Sequence, residues 1–155
     1  RNMVRPGGVM FDIDEAMRKE IIKRLKSIFS DVRNAVSLML DSAMVIDRFD
    51  ETGTLTKEEA LDLGLVGVAA RACGIERDVR FDFPVGAFQF SQIPVSTYST
   101  GDVFARAFVR WLEIQRSVEF ILKQLEALPA GSINVAVPPL QKEHINVSLV
   151  EGWRG

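Results

Sequence analysis

The densest charge chemistry in the chain lies between Asp102 and Ser117. At about 100° per residue, a helix opened by Gly101-Asp102 brings Asp102, Arg106, Arg110, Glu113 and Ser117 onto one arc about 80° wide. Such a stripe is either a solvated face laced with i,i+3 and i,i+4 ion pairs or a buried charge ladder facing protein or a redox site. Phe120 prolongs the stripe with a large apolar side chain and favours the second. In that reading Arg110 and Glu113 pair in a desolvated ladder, with Val103, Ala107, Phe108, Trp111, Leu112, Ile114, Val118, Ile121, Leu122 and Leu125 as the core face. A second cluster, Arg71, Arg77, Asp78, Arg80 and Asp82, alternates guanidinium with carboxylate. Bidentate pairs of that kind hold an anion or fix a loop.

Other reactive residue types carry less. Arg48 to Glu59 places Asp50, Gly53, Leu55 and Glu59 where a calcium loop needs them. Its first position, however, is a guanidinium, which repels the ion. His144 is the single histidine and a poor metal or catalytic candidate, and Cys73, just before Gly74, is read as a packed side chain. Gly64 and Gly67 suit close helix packing, because no Gly-Lys-Ser/Thr follows to make a phosphate loop. Asn146-Val147-Ser148 fits a glycosylation sequon, with nothing to suggest export. No residue is assigned to a metal.

The elements that must position these groups are mainly helical. After the Arg5-Pro6-Gly7-Gly8 turn, a helix is expected from Asp12 or Asp14. Its apolar stripe runs from Met17 through Ile21, Leu25, Ile28, Val32, Ala35, Val36, Met39 and Ala43 to Ile46, with a break at Ser30-Asp31. Thr56 and Glu59 form a capping box for a short helix closed by Gly64. Leu65 to Cys73 is another short helix, and Phe81 to Ser99 a long loop with fragments of strand. The clearest helix runs from Asp102 to about Leu128, before Pro129 and Gly131. His144 to Leu149 alternates as a terminal strand does. The expected fold is one mainly α domain over residues 1–155, a helical bundle with a long irregular loop and a small β element near the C-terminus.

Composition bounds the function. The 155 residues are 47% hydrophobic and 26% charged, which excludes disorder for the bulk of the chain. A net charge of −2 gives no reason to expect nucleic acid or an anionic membrane. The single cysteine excludes an internal disulfide and any zinc site with two protein thiolates, and favours a reducing compartment. No apolar run is long enough to cross a bilayer. The chain opens on Arg1 rather than Met and reads as a piece of a longer polypeptide. A mean hydropathy of +0.10 leaves little polarity to mask a face once covered by partners, so self-association is expected.

Four stretches together resemble one family: RNMVRPGGV (Arg1 to Val9), GLVGVAARACGIERDVR (Gly64 to Arg80), TGDVFARAFVRWLEIQRS (Thr100 to Ser117) and VEGWRG (Val150 to Gly155). They look like the large subunit of membrane-bound nickel-iron hydrogenases of the formate-hydrogenlyase type, and the homologous quinone-pocket subunit of NADH dehydrogenase, complex I. Glu76 to Arg80, Arg110 to Glu113 and the Gly-Trp-Arg-Gly ending suggest the hydrogenase branch, with complex I as the alternative, or a non-catalytic helical interaction module derived from either.

The resemblance implies an oxidoreductase subunit that docks on a small iron-sulfur subunit and on membrane subunits, hence cytoplasmic and peripheral to the inner face of the membrane. It also implies that the nickel-iron centre is built outside this piece, because the family's two Cys-x-x-Cys pairs are absent and Cys73 matches no ligand. This piece would bind no cofactor and be inactive alone. Phe83 stands where relatives tend to have His, so no proton-transfer role is carried onto it. On the resemblance, Asp102, Arg106, Arg110, Glu113 and Ser117, with Arg71, Arg77, Asp78 and Arg80, form a structural or supporting charge network.

Overall fold

A computed structural model describes residues 3–139 and 141–152. Trp153 to Gly155, the end of the fourth family-like stretch, lie outside the described residues, as do Arg1 and Asn2. The chain is mainly α, with a small β element. Two short strands, β1 (Val4–Arg5) and β2 (Gly8–Val9), pair antiparallel across the Pro6-Gly7 turn. The hairpin is stitched to a later segment by Val9 N–H to the Ile133 carbonyl at 3.0 Å and Val135 N–H to the Gly7 carbonyl at 2.8 Å. Gly8 is required there, because a Cβ would fall 2.2 Å from the Ile133 oxygen. The β element therefore lies at the start of the chain. Residues 144–149 alternate like a strand but have no strand partner among the described residues.

The first helix, α1 (Glu15–Leu40), is capped by the Asp14 carboxylate, which accepts the Met17 N–H at 2.7 Å. It runs unbroken through Ser30-Asp31. Mid-helix Ser and Asp cost only about 0.5 kcal/mol each, less than the backbone groups a break would orphan. The break comes at Asp41-Ser42, which puts Ala43 and Ile46 on α2 (Ala43–Phe49). Next come α3 (Lys57–Asp62) and α4 (Gly67–Ala72). The reciprocal Thr56–Glu59 capping box opens α3. Between residues 81 and 99 there is no strand fragment. The turn α5 (Val79–Asp82) and a 3₁₀ turn at Gly86–Gln89 occupy the start of that stretch. The last helix, α6 (Val103–Glu126), is capped by Asp102.

Small side chains let α4 and α6 approach closely: Val68 and Ala72 pack on Ala105 and Val109, with Tyr98 beside them. A second cluster, Ala60, Ala70, Cys73 and Ile75, lies between α3 and α4. Phe29 of α1 stacks on Trp111 of α6 at 5.9 Å. The side of α6 turned to the core matches the expected one only in part: Leu125 is buried and Trp111 packs on α1, but the most deeply buried residues lie outside the expected face. Ala105 and Val109 are fully buried, whereas Ile114 and Ile121 are 40% and 41% exposed. The core side thus borders the polar arc, because α4 brings its own charge to meet it.

Candidate functional site

The loops on either side of α4 and α6 set the site's frame. After α4 the chain returns, and Tyr98 and Gly101 donate their N–H groups to the Arg71 and Ala72 carbonyls at 2.9 Å each, satisfying the end of a helix that would otherwise be orphaned. Leu55 N–H bonds the Gly101 carbonyl at 3.1 Å and Val103 N–H the Thr52 carbonyl at 3.0 Å. Gly101 has φ +68°, and a Cβ there would stand 1.9 Å from the Leu55 oxygen, so the two loops meet only at glycine. Asp102 is 2% exposed. Its carboxylate accepts the Ala105 N–H at 2.7 Å, the Thr100 hydroxyl at 2.9 Å and the Glu51 N–H at 3.1 Å. Burial raises its pKa, but these donors outweigh burial and hold it below the ordinary aspartate value.

At the centre lies Arg71 on α4, 1% exposed. Its Nε and Nη2 reach Glu113 Oε1 on α6 at 2.9 and 2.8 Å. Nη1 and Nη2 fork onto the Glu151 carboxylate at 2.9 and 2.6 Å, and Nη1 also donates to the Arg77 carbonyl at 2.9 Å. Burial works against this charge, yet the hydrogen bond to Glu151 and the charges of Glu113, Glu151 and Asp78 outweigh it and lift the pKa above the ordinary arginine value. Asp78, 2% exposed, pairs with Arg80, whose Nε lies 2.9 Å away. That guanidinium overcomes the effect of burial and lowers the Asp78 pKa. Two cavities, of about 750 and 340 Å³, flank residues 149–151. Glu76, Arg77, Asp78 and Asp82 line the larger, and Arg80 and Glu113 the smaller.

The structure thus brings Arg71, Asp78, Arg80 and Glu113 of the sequence candidates together. Arg77 contributes its carbonyl, its side chain being exposed. The other stripe residues go elsewhere. Arg106 donates to the Gly53 and Gly101 carbonyls at 3.2 and 2.8 Å. Arg110 is exposed and, among the described residues, donates only to the Arg106 carbonyl at 3.1 Å, so the expected Arg110–Glu113 ladder is corrected. Glu113 turns to α4 instead. Ser117 is half-buried, with no side-chain hydrogen bond among the described residues, and Phe120 stacks on Phe88 at 5.4 Å. Sequence reasoning missed Glu151 as a partner, although it lies within the fourth family-like stretch. It also missed Arg116, which donates to the buried Ser96 hydroxyl at 2.7 Å.

A metal centre does not fit these residues. No three His, Cys, Asp or Glu side chains gather into a set able to hold a metal ion among the described residues. Cys73 is buried, and burial pushes its thiol pKa up, away from the thiolate a metal needs.

The family model described as respiratory-chain NADH dehydrogenase, 49 kDa subunit, matches residues 1–150. The chain belongs to that family. Within it, a D-type NADH-quinone oxidoreductase subunit of Chloroherpeton thalassium is 32% identical over 129 residues, 83% of this chain and 29% of that protein. NADH-quinone oxidoreductase subunit 4 of Thermus thermophilus is 32% identical over 151 residues, 96% of this chain and 37% of that protein. A chain in the structure of the membrane-bound sulfane sulfur reductase, an archaeal respiratory membrane complex, superimposes with a TM-score of 0.75 at 25% identity, covering 89% of this chain and 38% of that one. The chain therefore spans about a third of the length of the curated relatives it matches. These relatives support the complex I side of the resemblance; the hydrogenase branch gains nothing from them. No helix is long and apolar enough to cross a membrane among the described residues.

Proposed function

We propose that this chain forms part of the large, 49 kDa-type subunit of a respiratory oxidoreductase that passes electrons toward a quinone. Its part there is to frame the subunit rather than to carry out the chemistry. The family match over residues 1–150 supports this reading, since it runs through both helices that meet at Arg71. In this frame Arg71, Glu113 and Glu151 lock α4, α6 and the C-terminal segment at fixed spacing. Asp78 with Arg80 holds the loop after α4, and Asp102 with Arg106 holds the start of α6. Arg110, exposed on α6, and Ser117 are left to meet other polypeptide. The partners in this reading are a small iron-sulfur subunit and membrane subunits, with the chain in the peripheral part of the complex and the electron carriers outside it. The hydrogenase branch is the lesser reading, because the matching family model and the curated relatives are NADH dehydrogenase and NADH-quinone oxidoreductase subunits.

The test is a chimaera. This chain replaces the matching third of subunit 4 in the Thermus thermophilus enzyme, and NADH:quinone reduction is measured in isolated complex. Assembled complex with activity within about tenfold of the parent, a loss of about 1.4 kcal/mol or less, is the expected result. Assembled complex without activity, or a subunit that fails to assemble, would overturn the proposal.

A further inference from the structure

We draw no further inference here: the strongest candidate, the cavity of about 750 Å³ beside α5 lined by Glu76, Asp78, Asp82 and residues 149–151, carries nothing, because its buried carboxylate Asp78 is already paired with Arg80 and nothing in the structure shows what covers the rest of its wall.

Discussion

Arg71 and Glu151 are 80 residues apart in sequence and meet as a guanidinium fork on a carboxylate, at 2.9 and 2.6 Å. Arg71 is 1% exposed, whereas the Glu113 and Glu151 side chains are 20% and 23% exposed. The arginine thus has no solvent to fall back on, and its partners do. Arg71→Ala removes the shared cation and leaves two carboxylates together beside a void. It should cost about 3–5 kcal/mol, measured by urea denaturation.

Glu113→Ala is expected to be milder than a desolvated Arg110–Glu113 ladder would make it. Arg71 keeps the bidentate partner Glu151 and the Arg77 carbonyl, so the loss should be about 1.5–3 kcal/mol, the worth of one charge-assisted bond. Arg110→Ala should change stability by no more than about 0.5 kcal/mol. The same denaturation series separates the two, and equal losses at 110 and 113 would contradict the observed pairing.

Gly101→Ala places a methyl group inside the Leu55 carbonyl in a left-handed backbone conformation. The conformation alone costs about 1–2 kcal/mol. Parting the two loops adds at least as much, for a total of about 3 kcal/mol or more. Thermal denaturation, with Gly64→Ala as control, tests the clash. Gly64 is also left-handed but has nothing within 4 Å of its Cβ position, so it should show the conformational cost alone.

Stability should fall in acid. Asp78 and Asp102 have folded pKa values below the unfolded value of about 3.9. Their contribution is therefore fully present above that value, where both states are ionised, and is lost as pH falls through the lowered folded values. Asp102→Asn should flatten this acid arm while lowering stability at neutral pH. Denaturation midpoints between neutrality and strong acid read both effects.

Cys73 should react slowly. Its thiol is buried and its pKa raised, so little thiolate is present or accessible at neutral pH. Iodoacetamide labelling of the native chain should lag that of the denatured chain by at least about a hundredfold, the scale expected when reaction requires local opening.

Helix starts were legible in the sequence because a cap is a local object. Asp14, Thr56 with Glu59, and Asp102 each bond an N–H three residues on, and each stands at the start of its helix. Ser30-Asp31 has the same residue types but lies inside a continuous apolar stripe, and the stripe prevailed. The buried side of α6 was legible only in part. Glu113 belongs to a polar arc on a helical wheel, and only the approach of Arg71 from α4 makes that arc an interior surface. The cluster from Arg71 to Asp82 looked self-contained because its charges are neighbours in sequence. Arg71 nonetheless takes its carboxylates from residues 113 and 151, pairings that no local spacing encodes. The alternation at 144–149 is that of a strand, but a strand needs a second strand, and none is present among the described residues.

Asp102 joins the first turn of α6 to the backbone at Glu51 through one carboxylate. Neither can come loose alone without stripping a hydrogen bond from the other, and the Leu55–Gly101 and Thr52–Val103 bonds double the tie. The loop at 51–55 and the head of α6 should therefore melt as one cooperative block. A lesion in this loop would be felt first as fraying of a helix some fifty residues downstream.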